Sequence, residues 1–116
     1  MEHELYPAPS KDLAQKRKDL APDIYAAFQA FSQRTFADGA LPSKTKELIA
    51  VAVAHVTQCP YCIRSHTRRA TVKGATPQEI MEAIWVAAEM RAGAASAHSA
   101  LAIDEMTRDS TRPGSQ

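Results

Sequence analysis

Apolar side chains recur every three or four positions along most of the chain, which is the spacing of one face of an α-helix. Ile24, Phe28 and Phe31 show this spacing within a single segment. No segment alternates apolar and polar residues as a half-buried strand would, and no segment is repeated. The pattern therefore predicts an all-α protein.

Capping residues, prolines and glycines divide the pattern into five predicted helices. Ser10 and Ser43 are suited to cap the first and third helices, and Thr76-Pro-Gln-Glu79 reads as a capping box for the fifth. Proline favours the first turn of a helix and glycine the position just after its end. The predicted helices span about residues 11–20, 22–37, 44–56, 60–73 and 77–106.

The third helix carries apolar residues nearly all round, so we expect it to be buried on every side. The relevant positions are Leu48, Ile49, Val51, Ala52, Val53 and Val56.

The fifth helix is rich in small residues from Ala87 to Ala102, and its segment Ala92–Ala95 is a possible break or bend. A face of small side chains lets another backbone approach closely. Two interpretations of this small-residue face stay open: it packs tightly against another part of the same chain, or it forms a subunit interface.

The composition is that of an ordinary globular protein, with 45% hydrophobic and 23% charged residues among 116. A chain of this length predicts one domain, residues 1–116, with a core at about 22–106 and a polar tail at 107–116. The net charge of +1 gives no general attraction to nucleic acid or to a membrane. We expect neither as a partner.

The N-terminal residues lack the apolar run of a signal peptide. The longest apolar run, residues 48–54, is too short to span a bilayer. We therefore expect a cytoplasmic protein.

Cys59 and Cys62 are the only cysteines of the chain. In a reducing compartment, paired cysteines are more often catalytic or metal-binding than structural. Cys59 would lie near the start of the fourth helix, where backbone N–H groups favour a thiolate. His66 follows Cys62 by one turn and can exchange a proton near neutral pH. With Glu47 one helix earlier, these residues favour a redox site.

Two other interpretations of this cluster compete with the redox site. His55-x3-Cys59-x2-Cys62-x3-His66 supplies four zinc ligands, although Pro60 at a helix start is awkward for the usual zinc loop. A purely structural role is the second. Within the redox class, Cys-Pro-Tyr-Cys is also a glutaredoxin motif, but there it follows a β-strand, whereas here it follows a predicted helix, so a glutaredoxin is rejected. The favoured interpretation requires no metal and no cofactor.

The pattern Glu47-x11-Cys59-x2-Cys62-x3-His66 resembles the active site of the alkyl hydroperoxidase D (AhpD)-like family, within the carboxymuconolactone decarboxylase superfamily. Residues 46–67 and 74–83 are similar to the short single-domain branch of that family. The resemblance covers roughly residues 24–103.

This resemblance implies an all-helical fold, a homotrimer or homohexamer, and reduction of hydroperoxides by thiols, as in a peroxiredoxin-type antioxidant enzyme. It implies that Cys62 is the peroxidatic cysteine and Cys59 the resolving one, with Glu47 and His66 as the proton relay. It also implies a dithiol reductant, for example of lipoyl type.

The chain departs from the family pattern at Tyr61, where the best-studied members carry a histidine before the second cysteine. A tyrosine, with its pKa of about 10, does not exchange a proton near pH 7. Two hypotheses follow. Either His55 substitutes for this histidine, or the protein is a thiol–disulfide oxidoreductase with little peroxidase activity. Helix-terminus electrostatics alone would choose Cys59 as the nucleophile, whereas the relay implied by the resemblance chooses Cys62.

Overall fold

The structure is a computed structural model that describes residues 5–108, and every regular element in that range is an α-helix. This confirms the all-α prediction. From residue 109 onward, the predicted polar tail lies outside the described residues. The helices are α1 (Lys11–Leu20), α2 (Pro22–Phe36), α3 (Ser43–Thr57), α4 (Pro60–Val72) and α5 (Pro77–Thr107).

The chain divides into two compact units, of which the first ends at Asp38 and contains α1 and α2. The Leu13 backbone N–H donates to Ser10 Oγ at 3.1 Å, so Ser10 caps α1 as predicted. Pro22 opens α2 directly after Ala21. The two helices contact each other, but neither buries a side chain. The expectation of a single domain over residues 1–116 stays a prediction.

The second unit begins at Gly39 and is organised around α3, which packs against both α4 and α5. Its core is the cluster of Val51, Ala70 and Ala75. Two of these three side chains are single methyl groups, which lets the helix backbones approach closely. Three larger, partly buried side chains surround the cluster, namely Leu48, Ile80 and Ile84.

The start of α3 differs from the prediction by one residue. Pro42, in an extended conformation, occupies the N-cap position, and Ser43 is the first helical residue and is buried. The Lys46 backbone N–H donates to the Pro42 carbonyl at 3.1 Å, which closes the first turn around Pro42. The prediction that Ser43 caps the helix is therefore wrong.

The prediction that α3 is buried all round is also wrong for the single chain. Val51 and Ala54 are buried, but Ile49, Val53 and Val56 are about half exposed. The physical reason is that only two helices of its unit pack on α3, and two neighbours cannot cover a whole helix circumference.

The turn between α4 and α5 follows the predicted signals. Gly74 adopts a left-handed conformation, with φ of 96°, which glycine tolerates better than any other residue. The Thr76–Glu79 capping box is formed in both directions, with the Glu79 backbone N–H donating to Thr76 Oγ1 at 3.1 Å.

Helix α5 runs unbroken through Ala92–Ala95, so the predicted break does not occur. Alanine is the best helix former, and the single Gly93 lowers the stability of the helix by only about 1 kcal/mol relative to an alanine. None of the helices within residues 5–108 combines the length and the hydrophobicity of a membrane-spanning segment.

Candidate active site

The two cysteines lie where α3 gives way to α4. Gln58 ends α3 in a left-handed conformation, with φ of 58°. Cys59 is the N-cap of α4, and Pro60 follows it in the first turn. Proline is tolerated there because the backbone N–H that it lacks would have no hydrogen-bonding partner within the helix. The helix break predicted here, with Cys59 at the helix start, is confirmed.

Cys59 and Cys62 are joined by a disulfide, with their Cα atoms 5.2 Å apart. The Cys62 backbone N–H donates to Cys59 Sγ at 3.2 Å, so a sulfur atom takes the place of the usual oxygen at the helix cap. The Cys59 backbone N–H itself donates to the Ala54 carbonyl at 3.2 Å, which ties the pair to the end of α3.

The helix terminus also favours a negative charge on these sulfur atoms. The first N–H groups of a helix have no carbonyl partners within it, and its dipole is positive at this end. Both cysteines lie within the first turn of α4. Opening the disulfide would therefore place at least one thiol where a thiolate is stabilised.

Glu47 and His66 meet between α3 and α4, although 19 residues separate them in the sequence. Glu47 Oε1 lies 2.7 Å from His66 Nδ1. The Glu47 side chain is only 3% exposed and the His66 side chain 17% exposed. A carboxylate this deeply buried requires a hydrogen-bonding partner, and the imidazole provides it.

This hydrogen bond determines which ring nitrogen of His66 could exchange a proton with a site thiol. With Glu47 ionised, the neutral imidazole donates its Nδ1–H to the carboxylate and carries its lone pair on Nε2. Protonation at Nε2 would give an imidazolium beside a carboxylate, which is a stabilised pair. His66 follows Cys62 by four residues on α4, a spacing at which helical side chains are neighbours.

His55 makes its hydrogen bond within its own helix. Its Nδ1 lies 2.7 Å from the Val51 carbonyl oxygen, so this nitrogen is the donor. The structure thus ties His55 to α3 and gives it no hydrogen bond to Glu47, Cys59, Cys62 or His66 among the described residues. A role for His55 in the relay stays a prediction.

Two further observations bear on the alternatives. Within residues 5–108, no group of three or more His, Cys, Asp or Glu side chains is arranged to hold a metal ion. Tyr61, between the two cysteines, is 41% exposed.

A family model described as "Carboxymuconolactone decarboxylase family" matches residues 22–105. A protein of Paracoccus denitrificans described as uncharacterized protein 4 in the cox locus is 68% identical over 73 residues, which are 63% of this chain and 66% of that protein. The match thus spans just under two thirds of the Paracoccus protein. An uncharacterized protein of Cupriavidus necator is 34% identical over 82 residues, which are 71% of this chain and 73% of that protein.

Two solved structures share this fold. The crystal structure of apo-lpg0406, a carboxymuconolactone decarboxylase family protein from Legionella pneumophila, superimposes with a TM-score of 0.63 at 40% identity, over 68% of this chain and 70% of that one. The crystal structure of a protein from Methanobacterium thermoautotrophicum gives a TM-score of 0.67 at 35% identity, over 73% of this chain and 94% of that one.

Proposed function

Because this chain belongs to the carboxymuconolactone decarboxylase family, we propose that it is a thiol-dependent peroxidase of the AhpD type. The observation that carries the proposal is the Cys59–Cys62 disulfide in the first turn of α4, one turn from His66, which is hydrogen-bonded to the buried Glu47. Lactone decarboxylation, the reaction after which the family is named, has no need of two adjacent thiols. The proposed substrates are a hydroperoxide and a dithiol, for example of lipoyl type.

The first step of the proposed cycle activates the nucleophile. In the reduced protein, the Cys62 thiol gives its proton to His66 Nε2, and Glu47 stabilises the resulting imidazolium through Nδ1. The Cys62 thiolate then attacks the terminal oxygen of the hydroperoxide. The O–O bond breaks, the alcohol leaves with the proton from His66, and Cys62 becomes a sulfenic acid.

The second step closes the disulfide. Cys59 attacks the Cys62 sulfenic acid, water leaves, and the two sulfur atoms are joined as the structure shows them. A dithiol then reduces the disulfide through a mixed disulfide and is itself oxidised by two electrons. The balance is one hydroperoxide and one dithiol consumed, and one alcohol, one water and one disulfide of the reductant formed.

Tyr61 favours a second candidate function. It is exposed and cannot supply the proton-exchanging imidazole that the best-studied family members carry at this position. If the remaining relay is too weak for peroxide cleavage, the same disulfide still exchanges with thiols. The chain would then be a thiol–disulfide oxidoreductase.

A peroxidase assay separates the two functions. The oxidised protein is first reduced with a panel of dithiols that includes dihydrolipoamide, and consumption of an organic hydroperoxide is then followed. Peroxide loss that depends on both protein and dithiol supports the peroxidase. Rapid reduction of the disulfide without protein-dependent peroxide loss would contradict the peroxidase and support the oxidoreductase.

A further inference from the structure

The two sulfur atoms of the disulfide differ in their surroundings. Cys59 Sγ accepts a hydrogen bond from the Cys62 backbone N–H at 3.2 Å, so the sulfur of Cys59 is the N-cap acceptor of α4. Cys62 is the third residue of that helix, and within residues 5–108 its own sulfur accepts no backbone N–H. In the described chain, the helix terminus therefore supports the sulfur of Cys59 and not that of Cys62.

The backbone of Cys59 is held on both sides of its side chain. Its N–H donates to the Ala54 carbonyl at 3.2 Å, and its carbonyl accepts from the Ile63 N–H at 2.9 Å. Neither hydrogen bond involves a sulfur atom, so neither is lost when the disulfide opens. The sulfur of Cys59 therefore keeps its position at the cap, where an N–H group stabilises a thiolate more than it stabilises a neutral sulfur.

We propose that Cys59 is the leaving group when the disulfide is reduced, so that the reductant attacks the sulfur of Cys62. This inference rests on the proposed function, because it concerns the same disulfide and the same dithiol reductant. In thiol–disulfide exchange, the sulfur that leaves as the more stable thiolate leaves faster. The Cys62 N–H stabilises negative charge on Cys59, whereas a thiolate leaving from Cys62 lacks that hydrogen bond.

The reduction proceeds in two exchanges. A thiolate of the reductant attacks Cys62 Sγ, the bond between the two cysteines breaks, and Cys59 leaves as the thiolate that caps α4. The second thiol of the reductant then attacks the reductant's own sulfur atom in the mixed disulfide, and Cys62 leaves. The reductant loses two electrons and becomes a disulfide, and the two cysteines gain those electrons together with two protons.

The position of His66 favours attack at Cys62 as well. A mixed disulfide on Cys62 lies one helical turn from His66, whose Nδ1 is hydrogen-bonded to Glu47. His66 can accept the proton of the second reductant thiol and deliver it to Cys62 as that sulfur leaves. A mixed disulfide on Cys59 would begin about twice as far from His66 along the helix axis, so its second thiol would be less well placed for this transfer.

The same hydrogen bond assists the closing step of the peroxidase cycle. A sulfenic acid on Cys62 carries no negative charge, so the cap supports a thiolate on Cys59 without repulsion between the two sulfur atoms. That thiolate attacks Cys62, the S–O bond breaks, and the hydroxide that leaves takes up a proton to become water. Cys59 is thus the attacking thiolate when the disulfide closes and the leaving thiolate when it opens.

Mapping the mixed disulfide tests this inference in the unmodified protein. Oxidised protein is mixed briefly with the monothiol β-mercaptoethanol and quenched with acid, and the freed thiol is blocked with N-ethylmaleimide. Trypsin releases residues 47–64, which contain both cysteines, and tandem mass spectrometry locates each adduct. We expect the monothiol on Cys62 and the maleimide on Cys59 about 10-fold more often than the reverse. A majority of monothiol on Cys59, or equal amounts on both, would overturn the inference and leave the peroxidase proposal standing.

The variant Cys62→Ser isolates Cys59, because it keeps the backbone N–H of residue 62 and removes the second thiol. At neutral pH, the folded variant should react with iodoacetamide about 10-fold faster than the same variant unfolded in guanidinium chloride, since the cap exists only in the folded chain. An equal or slower rate in a variant with native helicity by circular dichroism would contradict the inference. A disulfide that dithiothreitol cannot reduce in the unmodified protein would instead overturn the proposed function.

Discussion

The buried carboxylate of Glu47 is the single side chain on which the proposed proton transfer most depends. Its Oε1 atom lies 2.7 Å from Nδ1 of His66, and its side chain is almost wholly removed from water. The sequence alone could not establish this pairing, because no periodicity relates two residues that lie on different helices. The sequence suggested Glu47 as a member of the redox cluster, and the resemblance to the AhpD-like pattern assigned it with His66 to the proton relay.

The variant Glu47→Gln separates the charge from the hydrogen bond. A glutamine oxygen can still accept from His66 Nδ1–H, so the fold and the ring orientation should be kept. The imidazolium loses its stabilising carboxylate, so peroxide consumption should fall by about 10²-fold, within the usual range for proton-transfer residues. Peroxidase kinetics and circular dichroism measured together check both statements.

His98→Ala is the matched control for the relay, because His98 is exposed and its hydrogen bond within residues 5–108 is to the Ala94 carbonyl of its own helix. It should leave the rate unchanged, whereas His66→Ala should slow it. If Glu47→Gln loses helicity as it loses activity, Glu47 is a structural residue and its assigned role is wrong.

The roles of the two cysteines can be told apart by single substitutions. Cys59→Ser keeps the proposed nucleophile, so one equivalent of peroxide should leave a sulfenic acid on Cys62 that dimedone traps. Cys62→Ser should react more slowly, because Cys59 has the helix terminus but lacks the proposed relay. Intact-protein mass spectrometry distinguishes the products. Dimedone trapping on Cys59 alone would show that the helix terminus decides the nucleophile.

At the scale of helices, the boundaries that rest on specific chemistry were predictable and those that rest on packing were not. Pro60 and the Thr76–Glu79 capping box marked helix starts correctly. The burial of α3 was overestimated, because a sequence shows that a face is apolar but not how many neighbours cover it. The unbroken α5 shows that glycine among alanines does not suffice to end a helix.

Glu79 links the capping box to α3 and makes the stability of this junction depend on pH. The hydrogen bond from the Thr76 backbone N–H, followed by the contact with Lys44 Nζ at 2.9 Å, lowers the pKa of Glu79 below its ordinary value of 4.5. A carboxylate whose pKa is lowered by folding stabilises the folded state at pH values above the pKa that the group has in the unfolded chain. That contribution is lost as the pH falls through the lowered folded pKa.

Denaturant unfolding of Glu79→Gln against the unmodified protein tests this dependence. Glutamine preserves the capping box but not the attraction to Lys44, so the variant should be less stable at pH 7. The difference should shrink as the pH falls below about 4.5, the reference value of a glutamate. Thr76→Ala is the comparison, since the loss of a cap costs about 1 kcal/mol at either pH. A difference for Glu79→Gln that does not vary with pH would contradict the assignment.

At the scale of the whole molecule, the described chain exposes many large apolar side chains. Trp85 is 67% exposed, and Phe28 and Phe31 are 61% and 67% exposed. Exposed apolar surface on this scale favours association. We propose a homotrimer or homohexamer in which the small-residue segment Ala87–Ala102 contributes to the interface.

The substitution Ala95→Arg tests the proposed assembly. Ala95 is exposed on α5, and an arginine there would hold a neighbouring backbone away. The mass in solution should shift toward monomer and the melting temperature should fall with it. Gln15→Arg on α1 adds the same charge beside Asp19, the present partner of Gln15, and should change neither quantity. A well-folded monomer for the unmodified chain at micromolar concentration, seen by light scattering, would defeat the proposal.

The central claim is that Cys59 and Cys62 act together on a hydroperoxide, and a single-turnover titration tests it most directly. Fully reduced protein is mixed with one equivalent of an organic hydroperoxide, and free thiols and product alcohol are counted over time. The account predicts that both thiols disappear together as one alcohol forms, about 10²-fold faster than with free dithiothreitol at the same thiol concentration. Thiols that persist, or disappear no faster than those of dithiothreitol, would contradict it.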